Sequence, residues 1–128
     1  MRILVDTHVL IWALSEPERL GTRTQQELSD TRNAILFSAA SIWEIAIKAA
    51  LRRSDFLVDP DELTEEAISL GFLELPISSR VAARVKDMPL IHQDPFDRLL
   101  VAQAMAEEAI LLTADRKLLA YSDLVRLV

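Results

Sequence analysis

Four acids in this chain stand where carboxylates can do chemistry: Asp6, Glu44, Asp97 and Asp115. Asp6 directly follows the apolar run Ile3–Val5, and Asp115 lies two residues beyond the run Ile110–Thr113. Glu44 and Asp97 fall in the first turns of two apolar helical patterns, Ile42–Leu51 and Asp94–Ala109. Carboxylates that converge repel one another unless a cation neutralises them. Mg2+ or Mn2+ suits such a cluster, because hard cations take oxygen ligands and keep several waters. The ion activates a water as nucleophile and offsets charge on a phosphate in the transition state.

Each acid also has a structural reading. Ser41-x-x-Glu44 matches a capping box, in which the acid bonds back to the start of its helix. Asp94-Pro95-Phe96-Asp97 is nearly the same device, with Asp94 as N-cap and Pro95 at the first helical position. Capping is the reading preferred for Asp94. Asp115 and Asp6 each precede a helical stretch they can cap. On this view Asp6 and Asp115 have the fewest structural duties, because they end strands, while Glu44 and Asp97 look equally good as capping acids. What favours chemistry is the joint pattern, two acids at strand ends and two at helix starts.

The elements that must bring them together follow from hydrophobic periodicity. Ile3–Val5, Ala34–Phe37, Phe72–Leu75, Ile110–Thr113 and Leu124–Val128 read as short strands. Between them Val9–Leu14, Thr22–Asp30, Ile42–Leu51, Asp59–Leu70, Ser78–Lys86, Asp94–Ala109 and Arg116–Tyr121 read as helices. Ser41 is the predicted start signal of the third and Arg52 and Arg53 its close, while Pro60 and Gly71 bound the fourth. Strands alternating with helices imply βαβ units and a parallel sheet covered on both faces. One α/β domain over residues 1–128 is the expectation. Ligands bind such sheets outside the carboxyl ends of the strands, where the four acids can face one crevice.

Composition narrows the chemistry. The chain has 128 residues, 51% hydrophobic and 27% charged, with two histidines and no cysteine. Thiolate nucleophiles and cysteine-held zinc or iron–sulfur sites are excluded. The net charge of -6 argues against a passive nucleic-acid binder, although a bound divalent ion reverses the local sign. Asp6 interrupts the first apolar run, no cleavage site follows, and no stretch approaches the ~20 apolar residues of a membrane span. A cytoplasmic protein without membrane contact is expected. No phosphate-binding glycine loop is present. An aspartyl phosphotransferase also places Asp after a first strand, but Asp6-Thr7-His8 lacks the second Asp two residues on.

The stretches ILVDTHVLIW, SAASIWEIAIK, HQDPFDRLLVAQA and LLTADRKL, in that order, resemble the PIN domain of VapC-type toxins from bacterial toxin–antitoxin pairs. The resemblance covers the whole chain. It implies a three-layer α/β/α sandwich, Mg2+- or Mn2+-dependent endoribonuclease activity, inhibition by a cognate VapB-type antitoxin, and a homodimer. It carries catalytic roles onto Asp6, Glu44, Asp97 and Asp115, with Asp6, Asp97 and Asp115 as metal ligands. The presence of all four speaks against a catalytically silent binding module.

Thr7 and Thr113 match polar positions beside the acids and are read as supporting groups, with Asp94. Lys48, one turn after Glu44, and Arg98 and Arg116, next to two of the acids, are candidate contacts for RNA phosphate, although an ordinary ion pair explains each as well. His8 is read as a helix-start residue and His92 as a structural loop residue. Trp12 and Trp43 lie on apolar helical patterns, where core packing is the default reading, although an exposed Trp would suit a partner groove. The Leu63–Leu70 helix and the Leu51–Val58 region are candidate surfaces for the antitoxin or a second copy.

Overall fold

In the computed structural model, which describes residues 1–51 and 58–128, the first strand β1 (Arg2–Val5) lies at the centre of a five-stranded sheet. The other strands are β2 (Ala34–Ser38), β3 (Leu73–Leu75), β4 (Ile110–Thr113) and β5 (Val125–Leu127). Their order is β3-β2-β1-β4-β5 and every pairing is parallel. Six α-helices are described: α1 (Thr7–Ser15), α2 (Thr22–Ser29), α3 (Ala39–Ala50), α4 (Pro60–Ser69), α5 (Ser79–Arg84) and α6 (Pro95–Glu107). This is the α/β arrangement with a central parallel sheet that was expected.

Side chains alternate across a strand, so β1 feeds two cores. Ile3 and Val5 join Ile35, Phe37 and Leu112 under Val9 and Leu10 of α1, Ile45 of α3 and Leu63 of α4. Leu4 joins Leu36 and Leu111 under Leu100, Val101 and Ala104 of α6. Ile3, Leu4 and Val5 are fully buried, and truncating Ile3 or Leu4 to Ala costs about 2–5 kcal/mol. A strand buried on both faces explains why this segment is a continuous apolar run.

Local chemistry sets most boundaries. Asp59 caps α4 through the amides of Asp61 and Glu62, with Pro60 following as predicted. Gly71 ends it at φ 92, a left-handed conformation that glycine adopts without strain. The start of α3 differs from expectation. Ser38, not Ser41, is its cap, accepting from the Ala40 amide at 3.0 Å. The helix therefore begins three residues earlier than predicted, and Glu44 moves from the first turn to the second. The proposed closing pair Arg52 and Arg53, and most of the proposed Leu51–Val58 surface, lie outside the described residues. No helix among the described residues is long and apolar enough to cross a membrane.

The strand order reverses direction between β1 and β4. A chain that crosses one way from β1 and the other way from its neighbour leaves a crevice at their carboxyl ends. Asp6 begins there, its amide donating to the Leu112 carbonyl at 3.0 Å.

Candidate active site

Asp6 leaves β1 in extended conformation and caps α1, one carboxylate oxygen accepting from the Val9 amide at 2.8 Å. Its other oxygen accepts from the Thr113 hydroxyl at 2.5 Å. Thr113 ends β4, and the same hydroxyl oxygen accepts from the Asp115 amide at 3.0 Å. One threonine thus ties the exits of two strands together. Burial pushes the Asp6 carboxyl above the ordinary range, against the lowering effect of Thr113, Val9, His8 and Ala114.

Asp115 is also a cap. Its Oδ1 accepts from the Lys117 amide at 3.0 Å and opens a short 3-10 helix, Arg116–Ala120. Its Oδ2 lies 2.7 Å from His92 Nε2. Desolvation raises this carboxyl, but the Lys117 amide and the His92 hydrogen bond prevail and hold it below the usual value.

Glu44 and Asp97 do no capping. Glu44 is nearly buried in the second turn of α3. Its Oε1 lies 2.8 Å from the Thr7 hydroxyl, which also shares a hydrogen bond with Ser41, and its Oε2 is 3.2 Å from Lys48 Nζ. Asp97 stands at the third position of α6, where Asp94 caps through the amides of Phe96 and Asp97. The Asp94 amide is taken by His92 Nδ1, so Asp97 does not close a capping box. Burial first, then the charges of Asp94 and Asp6, push the Asp97 carboxyl up to about 7, and Glu44 adds to them.

The duties anticipated from sequence are therefore exchanged. Asp6 and Asp115, thought to have least structural work, both cap helices, and Glu44 and Asp97, thought to be caps, do not. His92, read as a structural loop residue, enters the cluster. Its Nε2 and one oxygen each of Asp97 and Asp115 all lie within 4.8 Å of one another. Only the tertiary fold brings His92 against Asp115, and the cue in the sequence was its place two residues before Asp94.

The basic candidates separate. Arg116 lines a cleft of about 410 Å3 with Asp6, His8, Trp12, Asp97 and Asp115. Lys48 pairs with Glu44 and lines an adjoining groove with Asp94 and Phe96. Arg98 is not brought to the cluster. It is buried, and its guanidinium donates to the carbonyls of Val85, Met88, Pro89 and His92 and to the Tyr121 hydroxyl. Trp43 is not in the core: it is 59% exposed and meets Phe96 edge-on, 5.3 Å between ring centres. Trp12 is half-buried, with Arg19 over its ring at 4.4 Å.

The donor set suits a hard divalent cation. Asp97 and Asp115 converge with His92, Asp6 lines the same cleft, and Asp97 carries the electrostatic cost of its neighbours, which a cation would relieve.

The profile of the PIN domain family matches residues 3–124. Ribonuclease VapC22 of Mycobacterium tuberculosis is 30% identical over 121 residues, covering 91% of this chain and 88% of its own. The fold matches VapBC2 of Rickettsia felis, solved bound to a promoter DNA fragment, with a TM-score of 0.69 at 18% identity over 100% of this chain and 98% of that one. It also matches a toxin–antitoxin complex from Klebsiella pneumoniae, with a TM-score of 0.61 at 24% identity over 97% and 95% of the two chains. With a profile spanning nearly the whole chain and a relative of matching length, the chain belongs to the PIN domain family, among its VapC-type members.

Proposed function

We propose that the chain, as a single PIN domain over residues 1–128, is a metal-dependent endoribonuclease and the toxin of a pair with a VapB-type antitoxin. The observation that carries this reading is the cleft lined by Asp6, Asp97 and Asp115, with Glu44 close enough to add to the charge acting on Asp97. The named relative is a ribonuclease, and two of the matching folds were solved as toxin–antitoxin assemblies, which supports the pairing.

Asp6, Asp97 and Asp115 would hold Mg2+ or Mn2+, which supplies Lewis acidity, lowering the pKa of water and offsetting charge on the phosphate. The chain does the rest. Val9 and Thr113 fix both Asp6 oxygens, and Thr113 also sets the Asp115 backbone. Glu44 is held by Thr7 and Lys48, which suits it to accept the proton of the attacking water. Arg116 in the cleft and Lys48 beside it contact the RNA backbone, which positions substrate without reading sequence. Exposed apolar side chains offer surfaces for the antitoxin and a second copy: Ile68 and Leu70 at the end of α4, and Trp43, Ile47 and Leu51 along α3.

The test is cleavage of mixed RNAs with Mn2+ or Mg2+, repeated with EDTA and with Asp97→Asn. Activity is expected only in the untreated wild type. Cleavage surviving both controls marks a contaminant and ends the proposal. Adding the purified antitoxin should suppress the activity.

A further inference from the structure

The loop carrying His92 is fastened at every polar atom of that residue. The His92 amide donates to the Tyr121 hydroxyl at 2.8 Å. Its carbonyl accepts from Arg98 and from Tyr121, both at 3.4 Å. Arg98 reaches across to the Val85 and Pro89 carbonyls at 3.0 and 3.1 Å, pinning the preceding segment to the same point. The ring is held from both sides. The Asp94 amide donates to Nδ1 at 3.0 Å, and Nε2 faces Asp115 at 2.7 Å and Asp97 at 3.5 Å.

Distance alone would make this imidazole a metal ligand beside Asp97 and Asp115. Hydrogen-bond direction decides otherwise. A backbone amide can only donate, so Nδ1 is an acceptor and bears no proton. A neutral imidazole with a bare Nδ1 carries its proton on Nε2. That proton points at two carboxylates, and Asp115 accepts it at good length. Ligation through Nε2 would require the other tautomer, with an Nδ1 proton aimed at the Asp94 amide proton, donor against donor. Asp94 cannot move away freely, because its side chain caps α6.

We infer that His92 is a positioning residue of the carboxylate site, an imidazole locked as an Nε2–H donor that aims Asp115 and Asp97 at a divalent cation without being a ligand itself. What the carboxylates hold rests on the proposed metal-dependent function; the tautomer does not. Outer partners of this kind change metal affinity by about 10- to 100-fold when removed.

Three measurements on the full chain test it. A long-range 1H–15N correlation spectrum of the metal-free protein should show His92 as the Nε2–H tautomer, with His92→Gln separating its signals from those of His8. An Nδ1–H tautomer or an imidazolium overturns the inference. In an EPR titration with Mn2+, His92→Ala should bind about 10- to 100-fold more weakly. His92→Gln, whose amide can donate from the same place, should recover most of that loss. Tyr121→Phe removes the acceptor of the His92 amide without touching a cluster side chain and should weaken Mn2+ in the same direction. Wild-type affinity in both His92→Ala and Tyr121→Phe refutes the positioning role. Spin-echo modulation of the wild-type Mn2+ complex should show no directly coordinated imidazole nitrogen, and a direct coupling makes His92 a ligand and refutes it outright. A wild type with the Nε2–H tautomer that takes up no Mn2+ defeats the cation reading and the aim assigned here. Intact Mn2+ binding without RNA cleavage defeats only the ribonuclease reading.

Discussion

Replacing Arg98 by Met separates two roles for a residue that adjoins a cluster acid in sequence. If Arg98 contacted RNA phosphate, the variant would lose substrate affinity and keep its fold. The structure gives the opposite expectation. Five acceptors surround the guanidinium, but those of Val85 and Pro89, at 3.0 and 3.1 Å, are the well-formed bonds; Met88, His92 and Tyr121 lie at 3.3 to 3.4 Å. A hydrogen bond to a charged group contributes about 1.5–3 kcal/mol. Two such bonds, less the desolvation of a buried guanidinium and the packing that Met restores, leave a loss of about 3 kcal/mol. Unfolding entropy near ~2.1 cal/mol/K per residue makes this a fall in Tm of about 10 °C for a chain of this length. Arg98→Lys should recover less than half, since one ammonium cannot reach across the fork. Urea and thermal melts by circular dichroism read the effect. A variant that melts with wild type but binds RNA more weakly would refute the structural role.

Other consequences can be checked alongside. Asp97 has its ordinary value of 3.8 when unfolded and about 7 when folded. Its contribution to metal-free stability is full below about pH 4 and lost as pH rises through about 7. Asp97→Asn should therefore be the more stable form at pH 8 in EDTA, with the gap closing toward pH 4 and Mn2+ raising the Tm of wild type alone; parallel pH profiles would contradict this. Thr113→Val leaves one Asp6 oxygen without its donor and the Asp115 amide without its acceptor, so a loss of about 1–3 kcal/mol in urea melts is expected. Arg116→Ala, exposed in the cleft, should weaken RNA binding and lower its salt dependence while leaving Tm unchanged.

β1, β2 and β4 were legible because doubly buried strands are uninterrupted apolar runs, and β4 was predicted to the residue. The α4 boundaries were legible because Asp59, Pro60 and Gly71 each carry a local signal. The α3 start was not. Two serines precede the helical pattern, and the alanines between them suit a helix as readily as a buried strand end. That shift moved Glu44 by a full turn. The fastening of His92 was also hidden, because Tyr121 and Asp115 are 29 and 23 residues away. Core packing was the default reading for Trp43 because its helix is apolar, yet its position on that helix faces outward beside Phe96.

The exchange of duties among the four acids has an evolutionary consequence. A copy released from selection for activity still has to fold. Substitution at Asp6 or Asp115 removes a helix cap, each with an effect of about 0.5–2 kcal/mol. Substitution at Asp97 removes a mutually repelled charge and makes the metal-free fold more robust. Decay in silenced copies should therefore begin at Asp97, leaving Asp6 and Asp115 in place as relics. A PIN-like sequence that has lost Asp97 and keeps those two would then record a chain that stopped cutting before it stopped folding.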